Sequence, residues 1–286
     1  MAVTKMKLLS VARHLQTGRQ RLAGCSENAS LDSAVLLAWA LGAERSWLLA
    51  HPEAEVSEAV AGAYAAGLAR LESGEPLAYI LGEWEFFGLK LQVTPAVLIP
   101  RPETELLVEA ALAWLAAHPG RRRAADVGTG SGCIPVALAV SMPDLHIIAG
   151  DLSSEALAVA QANVERYQLQ TRVHLAKGDL LENLPGPFDM ICANLPYIPE
   201  ARLPERAVSK WEPRIALGGG EDGLRFIEPF LRQAQAKTAP KALILEEIDA
   251  ALQGAVLDLA LGLWPAARIA IRPDLAGLPR LLIVET

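Results

Sequence analysis

The chain has 286 residues, 52% of them hydrophobic and 21% charged, so it can bury a sizeable core in one large domain or two modest ones. Its net charge of −7 argues against a broad phosphate-binding surface, and no uncharged apolar run reaches the ~20 residues of a membrane span. Cys25, Cys133 and Cys192 lie far apart without a CxxC pair and the five histidines show no HxxxH or HxH spacing, which speaks against a disulfide framework or a zinc site.

From Lys5 to about Ser73 the pattern is helical. Leu31 to Leu41 places Leu37, Ala40 and Leu41 on one stripe, and Gly42 follows as a C-cap. Ser57 to Leu71 reads as a second helix, Ala-rich, with Ala61, Ala65 and Leu68 spaced to share a packing face, although Gly62 and Gly67 interrupt it. Gly74-Glu75-Pro76 closes this region. It has the pattern of a small helical bundle without titratable clusters, which suits recognition or docking better than catalysis. Between Tyr79 and Val93, two β-prone runs flank Gly88 and predict a hairpin. Pro102, followed by Glu103 and Glu105, is a good helix start, and that helix runs to about His118. Arg121-Arg122-Arg123 is a candidate basic patch but reads better as a solvated loop before a strand.

From Ala124 onward, short apolar runs alternate with helical patterns. The predicted strands are 124–127, 146–150, 173–176, 189–193, 242–246, 269–271 and 281–284. Helical segments separate them, including one from Ser153, its N-cap, to Tyr167, with Leu157, Ala160 and Val164 on one face. Repeated strand–helix units predict an α/β fold with a parallel sheet and helices on both faces.

The first of these strands leads into Asp126-Val127-Gly128-Thr129-Gly130-Ser131-Gly132-Cys133. A dinucleotide loop wants G-x-G-x-x-G, whose third glycine would fall on Cys133. Here an acid leads into the turn and no diphosphate cradle is evident, so the loop suits a cationic or amine-bearing ligand. Asp151 ends the second strand, where an acid reaches ribose hydroxyls in a doubly wound sheet. Asp179 and Leu180 follow the third strand, and a carboxylate there can accept from an adenine amine. Either acid alone would more often be a helix cap. With the glycine loop they predict a nucleoside site.

The most informative stretch is Asn194-Leu195-Pro196-Tyr197, at the end of a buried apolar run. The asparagine offers an amide oxygen and an NH2, Pro196 restricts Leu195 to extended geometry, and Tyr197 supplies a ring face. Such a pocket suits a planar nitrogen bearing two hydrogens, either a carboxamide or the exocyclic amine of a base.

These residues resemble the class I S-adenosylmethionine-dependent methyltransferases and, more narrowly, the protein-glutamine N5-methyltransferases of peptide chain release factors, the HemK/PrmC family. The likeness covers nearly the whole chain. It rests on Tyr79-Ile80-Leu81-Gly82 with Phe86-Phe87-Gly88, Ile99 through Glu105, the Asp126–Gly132 loop, Asp151 with Glu155-Ala156-Leu157, Phe188 through Pro199, Trp211 through Leu217, and Gly219 to Leu224. The family usually carries a proline where this chain has Leu195, and often an aromatic at Leu180.

The resemblance implies a Rossmann-like α/β fold with a mostly parallel seven-stranded sheet and helices on both faces, and three regions: residues 1–75 as a helical substrate-recognition domain, 76–98 as a β-hairpin linker and 99–286 as the methyltransferase domain. It implies S-adenosylmethionine bound by Asp126, Gly128, Thr129, Gly130, Ser131, Gly132, Asp151, Asp179, Leu180 and Asn194. Catalysis would fall to Asn194, Leu195, Pro196 and Tyr197, with Arg101, Glu103 and Arg214 lining the cleft. The expected substrate is the glutamine of the Gly-Gly-Gln motif in release factors. The expected protein is a cytoplasmic monomer without a signal peptide, a metal or a direct contact to nucleic acid or membrane. The competing readings are an adenine N6-methyltransferase acting on rRNA or DNA, because Asn-Leu-Pro-Tyr would hold an adenine amine equally well, and a non-catalytic module that keeps the cofactor fold as a scaffold. The acidic composition disfavours the first, and the intact set of glycines, Asp151, Asn194 and Tyr197 disfavours the second.

Overall fold

A computed structural model describes residues 8–205 and 210–286. The predicted helical start at Lys5 lies outside the described residues. The chain divides into two compact units, one ending at Gly82 and the other beginning at Glu83.

The first unit holds α1 (Val11–Leu22), α2 (Ala29–Leu41), α3 (Arg45–Ala50), α4 (Glu58–Glu72) and α5 (Leu77–Leu81). Gly42 caps α2 in the left-handed region, and the Ser57 hydroxyl caps α4 by accepting from the Val60 N–H. The packing faces are rotated from the predicted ones. Ser33, Leu36 and Leu37 form the centre of the α2 face, while Ala40 and Leu41 are only half-buried. On α4 the face is Tyr64, Gly67 and Leu68, and Ala65 is exposed. Gly67 explains the shift: a Cβ there would stand 2.7 Å from Leu36 Cδ1, so the missing side chain is what lets the two helices approach. Tyr79, Ile80 and Leu81, expected in the hairpin, form the short helix α5 instead, and Gly82 ends it in a left-handed cap.

The second unit begins with the hairpin of β1 (Glu83–Phe86) and β2 (Leu89–Gln92). A 3-10 turn at Pro102–Thr104 leads into α6 (Glu105–Ala117), and Glu105 accepts from the Phe87 N–H at 2.8 Å, holding the hairpin turn. There follow β3 (Arg123–Val127), α7 (Cys133–Ser141), β4 (His146–Asp151), α8 (Ser154–Arg166), β5 (Val173–Lys177) and β6 (Phe188–Ala193). The chain continues through α9 (Ile227–Lys237), β7 (Thr238–Glu247), α10 (Gln253–Leu263), β8 (Arg268–Pro273) and β9 (Pro279–Glu285).

The seven-stranded sheet has the order β5-β4-β3-β6-β7-β9-β8. The first five strands are parallel, and β9 runs antiparallel between β7 and β8. Two connections differ from the predicted alternation. Residues 178–187 join β5 to β6 without a helix, because ten residues containing Pro185 and Pro187 leave no room for one. The last two strands are joined by a turn at 274–278, which makes them a hairpin.

Each central strand is buried on both faces, as its uninterrupted apolar run requires. Ala124, Met190, Cys192, Leu243 and Leu245 face the core under α6 and α7. Ala125, Val127, Ile191, Ala193 and Ile244 face the core under α9 and α10. The arginine triplet is absorbed into the fold: Arg121 pairs with Asp189 at 2.9 Å, Asp189 also accepts from the Arg122 and Arg123 N–H groups, and Arg122 pairs with Asp144. Among the described residues no helix is long and apolar enough to cross a membrane and no His/Cys/Asp/Glu group could hold a metal.

Candidate active site

The carboxyl ends of β3, β4, β5, β6 and β7 meet at one edge of the sheet, the edge at which open α/β sheets bind ligands. The glycine loop crosses it from β3 to α7. Gly128, Gly130 and Gly132 all have positive φ. At Gly132 the reason is also one of space, since a Cβ would lie 3.2 Å from the Ala160 Cβ of α8. The loop N–H groups are spent inside the protein: Gly128 and Thr129 donate to the Gly150 carbonyl, Gly132 to Thr129 and Gly130 to Asp151 Oδ2 at 2.8 Å. A loop so paired does not present a nest of N–H donors to a diphosphate, in agreement with its sequence.

Asn163 of α8, fully buried, ties this loop to the hairpin. Its Nδ2 donates to the Ser131 and Gln92 carbonyls at 2.8 and 2.9 Å, and its Oδ1 accepts from the Gln92 N–H at 2.7 Å.

A cleft of about 1000 Å³ opens above the loop. Gly128, Thr129, Gly130, Ser131, Asp151, Asp179, Leu180 and Asn194 line it as expected, together with Leu98, Ile134, Leu152 and Phe226. Asp151 uses its oxygens to accept from Gly130 and Ser153, and each keeps a lone pair free for a hydroxyl. Burial raises its carboxyl above the usual range, offset by the Ser153 and Gly130 N–H groups. Leu180 is held at a φ of 49°, with its half-buried side chain on the cleft wall. Two expected residues stand outside the cleft lining. Gly132 packs against α8. Asp126 lies beneath the loop, 1% exposed, and neither carboxylate oxygen has a hydrogen-bond partner among the described residues. Burial pushes the Asp126 carboxyl up to about 7. Thr129 offsets part of this without completing a hydrogen bond, and the Asp151 charge adds to it.

A second cavity of about 910 Å³ adjoins the first. Asn194, Leu195 and Pro196 belong to both, as do Leu98 and Arg101, while Tyr197, Glu103, Glu247, Asp249 and Arg280 line only the second. The backbone after Asn194 is clamped. Ile198 donates to the Leu217 carbonyl at 3.0 Å, and Gly219 donates to Ile198 at 2.8 Å. Gly219 must be glycine, because a Cβ there would meet the Tyr197 Cα at 2.7 Å. Leu195 turns its side chain down into the core against Gly128, with 4% exposure. Arg214, expected at the cleft, is exposed and lines neither cavity, although its neighbours Pro213, Ile215 and Ala216 do. The cation in both cavities is Arg101, anchored by buried Glu212 at 2.5 Å, and Glu212 also accepts from the Ile99 N–H.

Sequence reasoning passed over Thr104, Glu247 and Arg280. Asn194 Nδ2 donates to Thr104 Oγ1 at 3.0 Å, Thr104 donates to Glu247 Oε2 at 2.7 Å, and the Tyr197 hydroxyl reaches Glu247 Oε1 at 3.4 Å. Arg280 donates to Asp274 and to the Ile248 carbonyl. For Glu247 a signal was present: two acids end an apolar strand at the same sheet edge as Asp151 and Asp179.

Residues 14–82 match the PrmC N-terminal domain, and residues 103–210 the methyltransferase small domain. A release factor glutamine methyltransferase of Moorella thermoacetica is 42% identical over 92% of this chain and 93% of its own length. The chain belongs to the release factor glutamine methyltransferase family. The family member from Koribacter versatilis is 39% identical over 88% of this chain and 90% of its own. The fold is also that of a T. thermophilus 16S rRNA methyltransferase solved with AdoMet and guanosine. That structure has a TM-score of 0.52 at 18% identity, over 71% of this chain and 49% of that one. The family's two domain models map separately onto the helical unit and onto the sheet-bearing unit that carries both cavities.

Proposed function

We propose that this enzyme transfers a methyl group from S-adenosylmethionine to the side-chain amide nitrogen, N5, of the glutamine in the Gly-Gly-Gln motif of peptide chain release factors. The observation that carries this reading is the meeting of two cavities at Asn194, Leu195 and Pro196. One is built for a nucleoside with a cationic tail, with strand-end carboxylates for its hydroxyls and amines and with Leu152, Leu180 and Ile134 for its flat ring. Asp151, Asp179, Leu180 and the Gly128–Ser131 backbone would hold the cofactor there, and the orphaned Asp126 carboxylate beneath the loop favours a positively charged occupant.

When bound, the cofactor supplies an activated methyl on its sulfonium. The protein must prepare the other partner, an amide nitrogen whose lone pair is delocalised into its carbonyl. The Asn194 Oδ1 and the Leu195 carbonyl each accept one N–H of the substrate carboxamide. Two acceptors aim the nitrogen and favour the positive charge that develops on it as the N–CH3 bond forms. The cofactor would leave as its neutral thioether, and one of the two hydrogen-bonded protons is lost so that the product amide is neutral. Orientation of this kind can supply ~7 kcal/mol or more of a barrier. Tyr197 covers the amide plane and excludes water.

The helical unit grips another part of the release factor. We place the enzyme in the cytoplasm as a monomer, with Gly82 and Glu83 at the join between recognition and catalysis. Tritiated S-adenosylmethionine offered with purified release factor, DNA and ribosomal RNA in parallel tests the assignment. Label is expected in the release factor, and label only in nucleic acid, or in none of the three, would overturn it.

A further inference from the structure

The Asn194 amide can serve as an acceptor only if its oxygen, and not its NH2, faces the acceptor cavity. Both ends of an amide have the same shape, so something must choose between them. The side chains behind Asn194 supply one mechanism for that choice. Thr104 Oγ1 stands between Asn194 Nδ2 and Glu247 Oε2, at 3.0 and 2.7 Å. A hydroxyl carries a single hydrogen. An ionised Glu247 can only accept, so the Thr104 hydrogen goes to it, and Thr104 is left with lone pairs for its other neighbour. That neighbour must then present a donor, which is the Asn194 NH2. The Asn194 oxygen is thereby turned the other way.

We propose, building on the function above, that Thr104 and Glu247 are positioning residues that fix the polarity of the Asn194 amide and keep its oxygen toward the substrate carboxamide. The same carboxylate reaches the Tyr197 hydroxyl through its other oxygen, at 3.4 Å. One buried side chain on β7 thus governs both the acceptor that aims the substrate and the ring that covers it. Thr104 is 2% exposed and Glu247 equally buried, so water does not compete for these bonds. The order of donors depends on Glu247 being ionised. Burial raises its carboxyl, and the nearby Glu103 adds to that. The Thr104 hydroxyl, the Arg280 guanidinium and the Tyr197 hydroxyl offset only part of this, and the carboxyl stays above its usual range.

Two pairs of side chains isolate the hydroxyl. Thr104→Val keeps the shape and exchanges the hydroxyl for a methyl. Thr104→Ser and Thr104→Ala both lose the methyl and differ only in the hydroxyl. Steady-state methylation of release factor, cofactor binding by calorimetry and thermal melting are measured on each. The expected result is that kcat stays within about threefold for Thr104→Ser and falls about tenfold or more for Thr104→Val and Thr104→Ala, because the acceptor is then misdirected. Cofactor affinity should change little. A packing role gives the opposite order, with Val close to wild type and Ser impaired, and that order would overturn the proposal. If Thr104→Val fails to fold, the Ser and Ala pair decides alone. Asn194→Ala in the same assay separates the two levels. Unchanged turnover there sinks the acceptor role of Asn194 on which this rests, whereas collapse there with normal Thr104→Val and Thr104→Ala turnover sinks only the polarity relay.

Discussion

Leu195 lies against Gly128 so closely that a Cβ on the glycine would stand 3.0 Å from the leucine Cδ2. The Asn194–Tyr197 segment is therefore packed on the glycine loop between β3 and α7. The leucine side chain points into the core, and the residue belongs to the strand end that both cavities share. The residue that stands where the family usually has a proline thus serves packing through its side chain. Leu195→Ala should accordingly cost about 2–4 kcal/mol of stability through the cavity it leaves. Turnover measured well below the melting temperature should stay within about fivefold. A hundredfold loss of kcat in a folded variant would show that the side chain itself matters to the reaction.

Asn194→Ala tests the acceptor directly. It removes the amide oxygen while leaving the Asp151 and Asp179 carboxylates and the glycine loop untouched. Cofactor affinity should remain within a few-fold and kcat should fall about a hundredfold or more, in line with the removal of one aimed hydrogen-bonding group. Isothermal calorimetry and a release-factor methylation assay report the two quantities separately. Near-normal turnover would remove Asn194 from the mechanism.

Much of this architecture was legible in the sequence because it depends on local signals. Apolar runs placed all seven strands of the large sheet, and the acids at strand ends, Asp151 and Asp179, are found lining the cleft. Those signals run out where structure depends on distant partners. Tyr79 to Leu81 is β-prone by composition, yet the chain spends it on a helical turn closed by Gly82. Residues 178–187 carry the reason their crossover has no helix, ten residues with Pro185 and Pro187, but the regular strand–helix alternation around them masks it. Asp126 reads as a ligand-facing acid and sits below the loop instead, because the alternation along β3 turns it into the core. Thr104 was visible only as part of a motif. Its role needs Glu247, 143 residues further along the chain.

Asn163 links two elements that sequence separation hides. Its amide makes three hydrogen bonds, to both backbone groups of Gln92 and to the Ser131 carbonyl, from a fully buried position. Asn163→Leu keeps the approximate volume but leaves those groups without their partner. The expected cost is ~3 kcal/mol in urea unfolding, since unsatisfied buried polar groups cost ~1–3 kcal/mol each and part of the Gln92 backbone can rehydrate. Cofactor binding should weaken as well, because the Ser131 carbonyl anchors the glycine loop. A loss of less than ~0.5 kcal/mol with unchanged cofactor affinity would mean that the hairpin and the loop are held independently.

Asp126 gives the free enzyme a pH dependence of defined sign. Its carboxyl, 1% exposed, is pushed by burial up to about 7 in the folded protein, against the ordinary 3.8 of the unfolded chain. Between those two values the native state keeps the proton and the unfolded chain has released it. The unfolded state then binds fewer protons, so stability falls as pH rises through this window and levels off above it. At 1.36 kcal/mol per pKa unit the whole effect is of order 4 kcal/mol. Asp126→Asn abolishes the titration while nearly preserving the shape. Thermal melts of the cofactor-free proteins from pH 4 to 8 should therefore diverge, with the variant gaining on the wild type as pH rises and exceeding it at pH 8. Parallel curves for the two proteins would show that Asp126 is ionised throughout and that the fold supplies it with a partner charge.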